Sequence, residues 1–151
     1  MKRIALALMI ISPLAWLYDS VHDRLIWNVT DSATHRLGLL SSNVAEKGDY
    51  VNFDFQHPLV LDGKPVRLTK KWVCGSGDVI TTQGRDIYCN GEYLGTALDR
   101  TGSGKRLELL DMNGPIPEKN ALVMGDTIDS FDSRYWGLIE VAKFTKVVPL
   151  W

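Results

Sequence analysis

Turn signals cut the chain from Trp27 onward into strand-sized pieces, and this punctuation constrains the fold more than any other feature of the sequence. Lys47-Gly48-Asp49 reads as a turn, and Tyr50 to Phe55 after it alternate, with Val51, Phe53 and Phe55 on one side, which is the period of a strand. His57-Pro58 ends that strand. Asp62-Gly63-Lys64-Pro65 makes the next turn, residues 66–74 the next strand, and Gly75-Ser76-Gly77-Asp78 breaks it. Val79-Ile80 and Ile87-Tyr88-Cys89 flank a polar turn at Gln83-Gly84, and Asn90-Gly91 is a strong hairpin signal. Residues 96–120 read as a loop-rich insert, with a short helix or strand at 107–110. Residues 121–124 and 138–144 read as the last strands. A helix is expected over 33–41, kept short or irregular by Gly38. With 13 Gly and 6 Pro in 151 residues and no internal repeat, the chain predicts one mainly β domain.

Ahead of this domain stands a different kind of segment. Lys2 and Arg3 precede an apolar run from Ile4 to Tyr18, about 15 residues long, a little short of the roughly 20 that span a bilayer. No small-residue cleavage site follows it. Trp16, Tyr18, Asp19 and His22 follow instead, and aromatic residues there suit a membrane interface. The expectation is an uncleaved anchor over 1–22, with the positive end inside and residues 23–151 delivered outside the cytoplasm. The rest of the composition excludes other classes. A hydrophobic content of 45% supports a core but not a multi-span membrane protein, and a formal net charge of −1 gives no basis for binding nucleic acid.

The two cysteines, Cys74 and Cys89, are too few and too far apart for a zinc site of the CxxC kind. They suit either one disulfide, which would persist in an oxidising compartment, or two semi-buried thiols. The strand 66–74 holds the more informative side chain. Strand alternation puts Val66, Leu68, Lys70, Trp72 and Cys74 on one face, and Arg67, Thr69, Lys71 and Val73 on the other. Lys70 therefore falls among apolar neighbours. An amine stripped of water there has a lowered pKa and can take a proton from a hydroxyl, unless it snorkels its head to solvent. Lys71 remains an ordinary surface cation.

Residues 124–137 read Met-Gly-Asp-Thr-Ile-Asp-Ser-Phe-Asp-Ser-Arg-Tyr-Trp-Gly, which resembles the MGDNRxxSxDSRxWG box of the signal peptidase I (S26) family. The family's KRVxGxPGD element resembles Lys70-Lys71-Trp72-Val73-Cys74-Gly75-Ser76-Gly77-Asp78, with Ser76 in place of the proline, and its base lysine falls on Lys70. Its GDxVxF element resembles Gly48-Asp49-Tyr50-Val51-Asn52-Phe53. Its SxSMxP element resembles the stretch around Thr30-Asp31-Ser32-Ala33, with Ala33 in place of methionine and Thr34 or His35 where proline is expected. The resemblance implies a signal-peptidase-like fold of antiparallel sheets behind an N-terminal transmembrane helix. It further implies Ser32 as nucleophile, Lys70 as general base, Thr30 and the Ser32 N–H as oxyanion donors, and Ser130, Asp132 and Arg134 as supporting residues. No metal or organic cofactor is implied. Ser20, Ser41 and Ser42 are rival serines outside a T-x-S context, and the scattered His22, His35 and His57 argue against a Ser-His-Asp triad.

Within the family, the short chain, the SFDSRY core at 130–135 and the closing Val148-Pro149-Leu150-Trp151 look like the conjugative-transfer peptidases of the TraF type, which mature a pilin precursor. The resemblance thus implies a single-pass protein of the bacterial inner membrane with its catalytic domain on the periplasmic side. Its partners would be the bilayer and a precursor protein, presented as an extended strand to a shallow apolar pocket near Val51 and Phe53. Two other readings compete: a general signal peptidase for secretory preproteins, and a catalytically inactive anchored module of a conjugation or secretion apparatus.

Overall fold

The computed structural model describes residues 21–29, 32–109 and 112–151. The expected anchor at 1–22 falls almost wholly outside them, as do Thr30 and Ser20. Among the described residues no helix is long and apolar enough to cross a bilayer.

Among the described residues, eleven strands and a short helix form the domain, and every strand pairing is antiparallel. In chain order they are β1 (Leu25–Trp27), β2 (Leu37–Ser41), β3 (Tyr50–Phe55), β4 (Val66–Gly75), β5 (Val79–Gln83), β6 (Asp86–Cys89), β7 (Glu92–Thr96), β8 (Gly114–Pro115), β9 (Asn120–Met124), α1 (Ser133–Trp136), β10 (Ile139–Glu140) and β11 (Thr145–Pro149). Seven strands make one sheet in the order β1-β2-β11-β3-β4-β9-β10, and the other four make a second sheet, β7-β6-β5-β8. The mainly β, antiparallel expectation is therefore met.

Local chemistry accounts for most of the turns. Asn90 and Gly91 take φ of 52° and 83° and close the two-residue hairpin between β6 and β7, a left-handed pair that asparagine and glycine accept at low cost. The Gly75–Asp78 turn after β4 is pinned by the Asp78 carboxylate, which accepts from the Gly75 N–H at 2.8 Å, from Lys47 Nζ at 2.9 Å and from Asn90 Nδ2 at 2.8 Å.

Several expectations fail on the structure. Residues 37–41 form a strand, not part of a helix, because they pair with β1 on one side and β11 on the other. Gly38 is needed there for close packing: a Cβ would stand 2.6 Å from Val147 Cγ1. The run 138–144 is not one strand; it divides into β10 and a single 3-10 turn at Val141–Lys143, and the long strand follows only at Thr145. Cys74 does not share the face of Trp72. The register against β9 shifts between Trp72 and Cys74, and this bulge turns Cys74 to the other side of the sheet.

That bulge gives the large sheet a core on each face. On one face Cys74, Ile80, Ile87, Cys89, Ile116, Leu122 and Met124 pack together where β4 and β9 meet the small sheet. On the other, Val51, Phe53, Val123 and Ile139 pack with Trp72, Trp136 and Phe144. β9 serves both by alternation, Leu122 and Met124 one way and Val123 the other. Cys74 and Cys89 are joined in a disulfide across the first core, so β4 of the large sheet is covalently tied to β6 of the small one. The 96–120 segment is loop-rich, as expected, but residues 107–109 form neither the short helix nor the strand expected at 107–110, and the segment is anchored to this core through Ile116 and buries Ala97 and Leu107.

Candidate active site

Lys70 lies in β4 directly opposite Val51 of β3, on the face it shares with Leu68 and Trp72. It is only 3% exposed, so its head does not reach solvent. Nζ donates to Ser130 Oγ at 2.7 Å. Burial pulls the amine from its ordinary 10.5 down to about 8; the Asp132 charge works against that shift, and Arg134 adds to it. A Lys70 amine in that range is neutral in a substantial fraction of molecules at mildly alkaline pH. Lys71, one residue on, is exposed.

Ser130 sits on the loop between β9 and α1, and a buried ion pair fixes that loop. Arg134 meets Asp132 as a fork: Nε donates to Oδ1 at 2.8 Å and Nη2 to Oδ2 at 2.8 Å. The remaining polar capacity is also used. Arg134 Nη2 donates to the Ser130 carbonyl at 3.0 Å, Nη1 donates to the Thr96 carbonyl at 2.9 Å, and Asp132 Oδ2 accepts from the Gly125 N–H at 2.9 Å. Asp132 also caps α1 by accepting from the Arg134 N–H. Both side chains are buried, and this saturation is what lets an ion pair persist there. The pair therefore holds Ser130 in place from behind and does not face the cleft.

Ser32 belongs to the irregular segment before β2. Its carbonyl accepts from the Asp126 N–H at 2.9 Å, which brings residues 32–34 against the end of β9. Ser32, Lys70 and Ser130 line one cleft of about 290 Å³, with Leu68, Val60 and Phe131 as its apolar wall. Two serines considered as rivals, Ser41 and Ser42, line a separate depression with Val141 and Phe144. No histidine lines the Ser32 cleft. Val51 and Phe53 themselves are 0% and 2% exposed and belong to the closed core, and their cross-strand partners Lys70 and Leu68 line the cleft.

Two residues of the site were not singled out from sequence. Gly125 lies where the Ser130 and Ser32 segments meet: a Cβ there would stand 2.1 Å from Ser130 Oγ and 2.8 Å from the Ser32 carbonyl oxygen. Asp126, next to it, supplies the backbone N–H that binds the Ser32 segment. The only signal for either was their place beside Met124 at the head of the 124–137 box.

Lys70, its pKa lowered by burial, is hydrogen-bonded to the Ser130 hydroxyl in a partly apolar cleft that Ser32 also lines. A family model described as signal peptidase, peptidase S26, matches residues 4–150. The chain belongs to that family, and with it to the serine endopeptidases that process exported precursors. Among solved structures, a signal peptidase I from Enterococcus faecalis V583 is similar at 23% identity over 70% of this chain and 99% of that one, with a TM-score of 0.43. No curated protein matches the chain.

Proposed function

We propose that this protein is a membrane-anchored Ser–Lys endopeptidase in which Ser32 is the nucleophile and Lys70 the general base. The observation that carries the reading is the desolvated Lys70 amine, about 8 in pKa, in the cleft that Ser32 lines. Neutral Lys70 takes the Ser32 proton as the oxygen attacks a backbone carbonyl of the precursor. The Ser32 N–H and the Thr30 hydroxyl bind the developing oxyanion, a donor pair of which each member is worth about 10²–10³ in rate. Lys70, now protonated, returns its proton to the leaving amine, and then activates water to release the acyl group from Ser32. Ser130 accepts from the Lys70 amine and aims it, and Asp132 with Arg134 keeps Ser130 in register.

The precursor would lie extended along the cleft, with a small side chain against Leu68, Val60 and Phe131. The disulfide supports an oxidising compartment, in keeping with a catalytic domain on the periplasmic side of the inner membrane behind an anchor at 1–22. Anchoring holds enzyme and precursor in one bilayer and raises their effective concentration. The SFDSRY core at 130–135 supports a conjugative-transfer role, with a pilin precursor as substrate.

The test is cleavage by the full-length protein in membranes of a pilin precursor and of a generic secretory preprotein, with Ser32→Ala and Lys70→Ala alongside. Both variants are expected to lose at least about 10³-fold in kcat, and the pilin precursor is expected to be cut in preference. Cleavage that survives Ser32→Ala would defeat the peptidase mechanism. Equal cleavage of both precursors would defeat the conjugative role alone.

A further inference from the structure

Residues 32–34 have no regular secondary structure, yet the reaction needs the Ser32 hydroxyl held in one direction. A set of hydrogen bonds gathers on Asp126. Its N–H donates to the Ser32 carbonyl at 2.9 Å. Its Oδ2 accepts from the Thr34 N–H at 2.7 Å and from the Tyr50 hydroxyl at 2.7 Å. The Tyr50 oxygen also lies 3.0 Å from Thr34 Oγ1. A phenol has one proton, and Tyr50 gives it to the carboxylate, so the Thr34 hydroxyl donates to Tyr50. The serine segment is thereby gripped at both ends, by the main chain at Ser32 and by the main chain and side chain at Thr34.

Tyr50 is the rigid member of this set. It is the first residue of β3 and is paired on one side with Lys71 of β4 and on the other with Val147 of β11. The buried His35 ring stands edge-on to it, with centroids 4.4 Å apart. Asp126, by contrast, is exposed, and it needs a fixed partner to define its own position.

We propose that Tyr50 is a positioning residue for the reaction: through Asp126 and Thr34 it transmits the rigidity of β3 to the segment that carries Ser32. The inference rests on the reading of Ser32 and Lys70 as nucleophile and base. Its energetic logic is that of proximity, since a displacement on the order of 1 Å at a nucleophile costs up to about 10²-fold in rate without any loss of chemical groups.

The experiment compares Tyr50→Phe, Thr34→Val, Thr34→Ser and Asp126→Asn in the full-length enzyme with its precursor. Tyr50→Phe keeps the ring against His35 and removes only the hydroxyl. Its kcat is expected to fall about tenfold, with KM and thermal midpoint unchanged. Thr34→Val should reproduce the loss, and Thr34→Ser should restore activity. The acid limb of the pH–rate profile separates aim from charge. The charged groups acting on Lys70 are Asp132, Arg134, Asp126 and Asp129, and the Asp126 charge raises the Lys70 pKa. Tyr50→Phe leaves that charge in place, so the limb should stay where it is. Asp126→Asn removes it, so the limb should move to lower pH as kcat falls.

A Tyr50→Phe enzyme with undiminished kcat overturns the proposal, as does a loss that tracks a lowered thermal midpoint. Should Tyr50→Phe fail to fold, the Thr34 pair decides by the same criteria. Ser32→Ala run in parallel keeps the two claims apart. If it is dead while Tyr50→Phe works at full speed, only the positioning role fails. If it still cleaves, the nucleophile assignment fails as well.

Discussion

At the scale of single residues, the site depends on one close approach as much as on its charged groups. Ser130 Oγ can meet the Lys70 amine only because position 125 has no side chain. Gly125→Ala would force Ser130 and the Ser32 carbonyl apart, since neither a backbone oxygen nor a buried 4%-exposed serine can give way freely. The expected outcome is a loss of roughly 10²-fold in kcat, with about 1–3 kcal/mol of stability lost to overpacking. Precursor kinetics and urea unfolding of the same variant check it, and near-wild-type turnover would show that Ser130 and Ser32 need not approach. Lys70 itself was legible in the sequence. Two-residue alternation placed it among Val66, Leu68 and Trp72, and the structure buries it opposite Val51. Gly125 was not legible, because its importance lies in two segments distant in sequence that meet over it.

Among the elements, those whose sequence contains its own reason were readable. β3, β4 as a strand, and the Asn90-Gly91 hairpin follow from alternation and turn chemistry within a few residues. The misread elements take their form from distant partners. Leu37–Ser41 is a strand because β1 and β11 bracket it, and nothing within Leu-Gly-Leu-Leu-Ser says so. The bulge in β4 is likewise invisible to a strict period of two, so the alternation that correctly sided Lys70 with Trp72 placed Cys74 on the wrong face. That error has a functional side. The bulge lets one strand bury a lysine toward one face and, a few residues later, a cysteine toward the small sheet. All four residues of α1 also serve partners elsewhere, Tyr135 by accepting from the Leu98 N–H at 2.8 Å. The Ser133 hydroxyl accepts from the Val123 N–H at 3.0 Å, Arg134 closes on Asp132, and Trp136 packs with Phe53 and Phe55.

For the whole molecule, the two sheets share one core and one covalent bond. The Cys74–Cys89 disulfide closes a loop with a separation of 15 residues and ties the strand of Lys70 to the small sheet. Loop closure of that length is worth about 3 kcal/mol through the unfolded state. Replacing both cysteines by alanine should lower the urea midpoint by a corresponding amount while leaving the Lys70 and Ser130 contact intact, because the disulfide lies on the opposite face of the large sheet from Lys70. Unfolding curves with and without reductant test this. An unchanged midpoint would mean that the interdigitated core alone holds the sheets together.

The central claim, that burial keeps the Lys70 amine neutral within reach of physiological pH, is open to direct measurement. The carbon chemical shift of Lys70 Cε, assigned by comparison with Lys70→Met, can be followed as a function of pH in the folded protein. The account predicts a midpoint at about 8, so that the neutral, proton-accepting form grows and precursor cleavage rises as pH increases through that value. A midpoint at the ordinary 10.5 would leave the amine charged throughout the working range and contradict its role as base.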